Sequence, residues 1–334
     1  MAYDIVTIGS ATRDVFMRAK DLMVIKDARF KTGAAECMTL GSKVEISEIF
    51  YTIGGSAANT AMTFVRQGLK TACITKVGKD IRGDEITRVL LRARIDTRFI
   101  KKDSRHMSPY SVVLLTSTGE RSILVYRGAG EYLQGKDIPQ SAFQAKWLYI
   151  THLGGKSAEA FPWLIHKAKK HNVKIAINPG ATQLRMPPNK LRPLLSLIDA
   201  LILNREEASY LTKIPFQKPH LIFEKLNRWV GGLIVMTDGP NGLVVSNGKY
   251  RWHAGILHEQ KRIDRTGAGD AFGSGFIAGL SQGKDIPHAI QLGSANATSV
   301  LEYMGAQPGI LYKHDSIYKW GRLKIQKETI KNEN

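Results

Sequence analysis

Short apolar runs alternate with longer amphipathic stretches along most of this 334-residue chain. The runs have the length of buried strands, and the stretches between them carry apolar residues at helical spacing. Such alternation is typical of βα units around a mostly parallel sheet, joined by right-handed crossovers. Strands are predicted at residues 5–9, 71–77, 147–151, 173–178, 200–203, 232–237 and 243–246. Helices are predicted at residues 57–68, 84–93, 158–171, 205–211, 221–230 and 269–282.

Two segments break this alternation, at about residues 12–53 and 97–127. Both contain polar and β-branched residues in alternation, with turn signals between them, and this pattern predicts strands outside the main sheet. Ligands of open α/β sheets bind at the carboxyl edge of the strands. We therefore expect the two segments to form a small β lid over that edge, in which residues 26–41 are a mobile loop.

The chain is strongly basic, with a net charge of +19 and a pI near 9.8. Such a charge is typical of nucleic-acid binding. Here, however, it is spread over predicted helix faces and thickens only in a basic C-terminal tail at about 313–334. No zinc finger, RNP-type aromatic motif or basic-region heptad accompanies it. We expect no nucleic-acid partner, since general attraction of anionic substrates explains the same charge.

No uncharged apolar run approaches the roughly 20 residues that a membrane span requires. The sequence enters a strand-like run at once, without the basic start of a signal peptide. These features predict a cytoplasmic protein without a membrane partner, folded as one α/β domain over residues 1–334. Cys37 and Cys73 are too few for a disulfide framework or a cysteine zinc site, and we expect them to be inert packing residues.

The most informative motif is a glycine turn that opens an apolar helix, Gly267, Ala268, Gly269 and then Asp270. The first backbone amides of a helix have no intrahelical acceptor, so they form a ready anion site. A carboxylate beside such a site suits a base that takes a proton from a hydroxyl attacking a phosphoryl group. An aspartate that caps a helix is the alternative, and the local sequence allows both interpretations.

A second glycine site joins a predicted lid strand to the helix predicted at 57–68. Gly54 and Gly55 allow a ligand to approach the backbone closely, and Asn59 offers a donor and an acceptor in the first helical turn. Such groups suit sugar hydroxyls. An ordinary strand-to-helix turn is the alternative for this site taken alone.

Together, the sequences GGSAAN at 54–59 and DRTGAGD at 264–270 resemble the N- and C-terminal motifs of the ribokinase-like (PfkB) carbohydrate kinase family. The resemblance extends from residues 8–10 to 305–309. It implies a three-layer α/β/α domain with a central, mostly parallel sheet and a small β-strand lid. It also implies an ATP-dependent phosphotransferase acting on a hydroxyl, expected to be a hydroxymethyl group, of a sugar or nucleoside.

The resemblance also implies roles for individual residues. Asp270 would be the catalytic base, and the amides of Gly267, Ala268 and Gly269 would stabilise charge on the transferring phosphoryl group. The implied nucleotide-binding residues are Asn204, Thr237, Gly239, Gly242, Ser294 and Asn296. Glu207 would organise Mg²⁺ through waters, an arrangement that this water-retaining ion favours. Taken alone, Asn204 and Glu207 would also fit a helix cap.

Family members also bind potassium beside the anion cradle. The residues that fall at this position are Asp264 and Thr266, with backbone carbonyls near Val300, Tyr303 and Gly305. Activation by potassium is therefore a hypothesis for this chain.

The implied substrate-binding residues are Asp14, Gly54, Gly55, Asn59 and His152. His152 departs from the family, because ribokinase places a glutamate there, and a histidine after a strand is also often structural. Arg265 departs as well, since threonine is usual, and its guanidinium would contact a phosphate or point into solvent. Arg121 and Arg127 in the lid would reach an anionic substrate or remain exposed.

Several function classes follow from these motifs. A kinase of a sugar or nucleoside is favoured, with a kinase of a phosphorylated sugar or a ligand-binding member of weak activity as alternatives. A nucleic-acid-binding module is a further class. A dehydrogenase is poorly supported, because residues 9–12 lack the Gly-x-Gly-x-x-Gly fingerprint. Exposed lid strands offer edges for pairing, which predicts a homodimer through the lid.

Overall fold

The computed structural model describes residues 2–19, 22–30, 33–115 and 121–330. The strands in these ranges are β1 Tyr3–Ile8, β2 Thr12–Ala19, β3 Met23–Lys26, β4 Ala34–Cys37, β5 Ile46–Gly54, β6 Thr71–Gly78, β7 Ile100–Asp103, β8 Tyr110–Leu115, β9 Arg121–Tyr126, β10 Ala145–Ile150, β11 Lys174–Ile177, β12 Ala200–Asn204, β13 Leu233–Thr237, β14 Leu243–Ser246, β15 Tyr250–Ala254 and β16 Ile325–Thr329. The α-helices are α1 Ser56–Arg66, α2 Ile81–Arg92, α3 Ala160–Lys170, α4 Ala181–Leu184, α5 Pro188–Leu195, α6 Arg205–Thr212, α7 Pro219–Asn227, α8 Ala268–Ser281 and α9 Ile286–Leu301.

A large twisted sheet organises the molecule, with the strand order β16-β15-β14-β13-β12-β11-β10-β1-β6-β7. The strands from β7 to β13 in this order are parallel, and β14, β15 and β16 are added antiparallel. Every strand that the alternating pattern predicted is present in this sheet, within a few residues of its expected bounds. The predicted α/β class with a mostly parallel sheet is confirmed.

Helices cover both faces of this sheet and give the three layers. Neighbouring residues of a strand point to opposite faces, so Ile5 packs in one core with Phe64 and Phe276, from α1 and α8, while Val6 packs in the other. That second core is completed by α3, α5, α6 and α7. The predicted helices are all found, and α4, α5 and α9 are additional to the predicted ranges.

A separate sheet has the order β5-β2-β8-β9 and supplies the strands predicted outside the main sheet. Residues 20, 21, 31, 32 and 116–120 of the predicted lid lie outside the described residues. One part of the lid prediction was wrong: Ile100–Asp103 pairs with β6 and extends the main sheet. The segment 26–41 expected to be a loop contains β4, which pairs with β3 in a hairpin.

The basic tail predicted at 313–334 is not a simple extension. Ile325–Thr329 pairs antiparallel with β15 and forms the edge of the main sheet, which the charged composition of the segment concealed. Residues 331–334 lie outside the described residues. Within the described ranges, no helix combines the length and the apolar character needed to cross a membrane.

Candidate active site

The glycine turn predicted as an anion cradle forms the amino end of α8. Gly267 precedes the helix with a φ of 81°, in the left-handed region. A Cβ on Gly267 would also lie 2.3 Å from the Cβ of Ala306, so both the turn and its close packing require glycine. The first turn of α8 therefore presents its backbone amides at the surface of the site.

Asp270 lies in this first turn and is held by a residue more than two hundred positions away. Asn59 Nδ2 donates to Asp270 Oδ2 over 2.9 Å, and Asn59 Oδ1 accepts from Gln307 Nε2 over 3.2 Å. Burial raises the pKa of Asp270 to about 6, and the hydrogen bond from Asn59 opposes that rise. The structure therefore places Asn59 against the candidate base, whereas the sequence suggested a contact with substrate.

Tyr149, which the sequence did not single out, lies beneath the same turn. Its hydroxyl is buried and has no hydrogen-bond partner among the described residues. Burial, and then the charge of Asp270, raise the pKa of Tyr149 well above its ordinary value. A Cβ at Gly273 would lie 2.5 Å from the hydroxyl oxygen. A tyrosine inside an apolar strand looks like core in a sequence, which explains why it was missed.

A cavity of about 470 Å³ opens beside the cradle. Its lining includes the predicted nucleotide residues Thr237, Gly239, Gly242 and Ser294, together with Arg265, Ala268, Gly269, Phe272, Ala297, Thr298 and Leu301. The lining is largely apolar, which suits a flat heterocycle. Glu259 and Arg262, which form an ion pair, also border it and were not predicted.

Asn296 does not line this cavity. It is fully buried, donating to the carbonyl of Ala271 over 2.8 Å and accepting from the amide of Leu311 over 2.9 Å. The cavity is instead bordered by Ser294 and Thr298. Ser294 and Thr298 are four residues apart and share a helix face, whereas Asn296 lies two residues from each and points to another face. The prediction that Asn296 borders the cavity was therefore wrong.

Asn204 and Glu207 form a reciprocal cap at the start of α6. Asn204 Oδ1 accepts from the amide of Glu207 and Glu207 Oε2 accepts from the amide of Asn204, each over 2.8 Å. Burial and then the nearby charge of Glu206 raise the pKa of Glu207, against the hydrogen bond from Asn204. The capping interpretation is therefore correct for Oε2.

Asp14 lies on the small sheet with Gly54 directly beside it. Thr12 Oγ1 donates to Asp14 Oδ1 over 2.8 Å, and a Cβ at Gly54 would lie 1.9 Å from Asp14 Oδ2. Burial raises the pKa of Asp14, and hydrogen bonds from Thr12 and Ser111 oppose this. Gly55 begins α1 with a φ of 89°. Gly54 thus leaves room for the buried carboxylate of Asp14.

His152 follows β10 and packs against Gly180, where a Cβ would lie 1.6 Å from its Nδ1. Burial and then the positive charge of Arg127 lower the pKa of His152. A neutral imidazole at the end of a parallel strand can donate to or accept from a hydroxyl. Arg127 is half-exposed, and its ion-pair distance to Glu131 is 3.6 Å.

Of the residues predicted to hold potassium, Thr266 and Gly305 contact Asp264, whose side chain is 2% exposed. Its Oδ1 accepts from Arg121 Nη1 over 2.7 Å and from Thr266 Oγ1 over 2.8 Å, and its Oδ2 accepts from the amide of Gly305 over 3.0 Å. The carbonyl of Val300 accepts from the amide of Tyr303. Asp264, the charged residue of the predicted potassium site, is thus paired with the guanidinium of Arg121.

Sequence and structure comparisons agree with this architecture. The family described as pfkB family carbohydrate kinase matches residues 4–311. A ribokinase of Haemophilus influenzae is 30% identical over 274 residues, or 79% of this chain and 86% of that protein. A cytidine kinase of Thermococcus kodakarensis is 25% identical over 255 residues, or 75% of this chain and 88% of that protein. The structure of Arabidopsis thaliana ribokinase complexed with ribose and ATP has a TM-score of 0.77 at 21% identity, covering 94% of this chain and 97% of that chain, and shares the fold.

Proposed function

This chain belongs to the pfkB family of carbohydrate kinases, and we propose that it transfers the γ-phosphoryl group of ATP to a hydroxymethyl group of a sugar or nucleoside. The observation that carries this proposal is the position of Asp270. Its carboxylate is bonded to Asn59 on one side, and the preceding residues Ala268 and Gly269 line the apolar cavity on the other. A base at Asp270 would stand between the acceptor and the nucleotide, which is the arrangement that the proposed reaction needs.

In the proposed reaction, Asp270 accepts the proton of the acceptor hydroxyl as its oxygen attacks the γ-phosphorus. The bond from the γ-phosphorus to the bridging oxygen breaks, and ADP leaves. The pKa of about 6 keeps the carboxylate ionised at neutral pH while leaving it more basic than an ordinary aspartate. The amides at the start of α8 stabilise the charge on the transferring group without reorganisation.

The acceptor would lie against the small sheet. Asp14 is a buried acceptor beside the open backbone of Gly54, and such a carboxylate pairs well with two sugar hydroxyls. His152 would contribute from the end of β10. We propose that the small sheet acts as a lid, since excluding water protects the phosphoryl group from hydrolysis.

The nucleotide would occupy the cavity beside α8. The loop after β13 is fixed there by Arg205 Nη1, which donates to Asp238 Oδ2 over 2.7 Å. Magnesium is expected with the nucleotide, and Glu207 Oε1 is the group that would hold it through water. When bound, the ion neutralises phosphate charge. Potassium is not part of this proposal, because Arg121 already supplies a positive charge at Asp264.

A phosphorylated sugar is the second candidate acceptor. Arg127 lies close enough to His152 to lower its pKa, and its own ion pair with Glu131 is long at 3.6 Å. A guanidinium placed in this way could bind an anionic group of the acceptor. Sugars, nucleosides and hexose phosphates should therefore all be tested as phosphoryl acceptors.

We further propose that the small sheet joins two copies of the chain. Its edge strands β5 and β9 expose large apolar side chains, including Ile49 at 45%, Phe50 at 42% and Leu124 at 61%. Exposed apolar edge strands are templates for pairing with another sheet. A second copy presents the same apolar surface and is the occupant that we propose.

The test is ADP release from ATP over a panel of ribose, fructose, ketodeoxygluconate, hexose phosphates and nucleosides. The proposal predicts turnover with at least one acceptor and its loss in Asp270→Asn. Asp285→Asn is the matched control, because Asp285 stands at the start of the neighbouring helix α9, where it accepts from the amide of His288, and is exposed. ADP release that persists in Asp270→Asn would contradict the proposal.

A further inference from the structure

Asp264 is a buried carboxylate, and both of its oxygens accept hydrogen bonds. The side chain of Arg121 is 26% exposed, against 2% for Asp264, and the two form an ion pair at 2.7 Å. The amide of Thr266 adds a further bond to Oδ1 over 3.0 Å. A buried carboxylate is costly unless it is paired and hydrogen-bonded. Here Arg121 supplies the neutralising charge from another part of the chain.

The ion pair between Arg121 and Asp264 joins the small sheet to the loop that precedes α8. Arg121 begins β9, which is hydrogen-bonded to β8, and β8 lies beside the β2 strand that carries Asp14. Asp264 stands three residues before Gly267, in the loop that leads into the cradle. Met304, next to Gly305, packs against the apolar core of the small sheet. The Arg121–Asp264 ion pair thus connects the small sheet, where the acceptor would bind, to the glycine turn at the start of α8.

We propose that Arg121 acts as a tethered cation at Asp264, so that the protein needs no monovalent metal to hold its cradle loop in place. This inference rests on the proposed kinase function. Arg121 is a positioning residue: it touches Asp264 and not the reacting atoms. Removing its side chain leaves a buried anionic pocket beside Thr266 and Gly305, which a potassium ion could then enter.

The first test uses the wild-type protein. Turnover is measured in potassium, sodium and tetramethylammonium chloride at equal ionic strength, with the acceptor found by the panel. The proposal predicts the same turnover in the three salts, within about twofold. Activation by potassium alone would overturn it. Absence of turnover in every salt would count against the kinase function instead, so the two failures are distinguishable.

The second test uses Arg121→Ala and Arg121→Lys. Arg121→Ala should lose about 10²-fold in turnover without potassium, because a displaced cradle loop misplaces the reacting groups, and should recover as potassium is added. Arg121→Lys keeps a charge and should remain independent of potassium. The control is Arg18→Gln, which removes a half-exposed ion pair with Glu48 in the same sheet and should show no response to potassium.

Thermal unfolding gives a readout that does not depend on activity. The melting temperature of Arg121→Ala should rise with potassium but not with tetramethylammonium, because an ion that binds the folded state stabilises it. The wild type should show no difference between these salts. A folded Arg121→Ala that potassium neither activates nor stabilises would overturn the proposal. If this variant does not fold, the wild-type salt series and Arg121→Lys still decide.

Discussion

Replacing Asn59 with leucine should shift the acid limb of the pH dependence of kcat/KM to higher pH. Asn59 donates to Asp270 over 2.9 Å and so favours the ionised carboxylate. A hydrogen bond to a charged group contributes about 1.5 to 3 kcal/mol, and one pKa unit corresponds to about 1.4 kcal/mol. Losing the bond should therefore raise the pKa of Asp270 by about one to two units, from its value of about 6.

The base must be ionised to act, so activity is lost as the pH falls through its pKa. The acid limb of kcat/KM should lie near pH 6 in the wild type and at about pH 7 to 8 in Asn59→Leu. Gln307→Met is the control, since it removes the partner of Asn59 Oδ1 and leaves the bond to Asp270. If the acid limb of kcat/KM in Asn59→Leu has the same pH midpoint as in the wild type, the reasoning is refuted, whatever the absolute rate of the variant.

Two further predictions concern stability and assembly. Because the folded pKa of Asp270 lies above its ordinary value, its charged form costs stability as the pH rises through about 6. Asp270→Asn should therefore be more stable than the wild type by about 1 to 3 kcal/mol at pH 8, with no difference near pH 4, as measured by urea unfolding; equal stability at pH 8 would contradict this. Leu124→Lys should give a monomer in sedimentation velocity, while Leu91→Lys, on a helix and equally exposed at 60%, should leave the wild-type dimer intact; unchanged assembly in Leu124→Lys would argue against pairing through the small sheet.

Local chemistry in the sequence was enough to predict the glycine turn at the start of α8. Gly267 and Asp270 stand a few residues apart, and a glycine turn before an apolar helix has a limited set of conformations. The alternation of apolar runs likewise predicted the parallel strands, because buried strands are short and continuous. What these features share is that the determining residues are neighbours in the chain.

Contacts between distant residues could not be predicted in this way. Asn59 and Asp270 are 211 residues apart, and Arg121 and Asp264 are 143 apart, so their pairing depends on how the two sheets meet. The error at Asn296 has a different cause. Apolar residues surround α9 on most sides, and the sequence therefore does not show which face borders the cavity.

The proposed role of Asp270 is tested most directly by single-turnover phosphoryl transfer. Wild type and Asp270→Asn would each be mixed with ATP, magnesium and the identified acceptor, and ATP affinity would be measured on the same preparations. We expect transfer to slow by about 10² to 10⁴ in the variant, with an ATP Kd within about twofold of the wild type. Transfer in Asp270→Asn at the wild-type rate would contradict the assignment of Asp270 as the base.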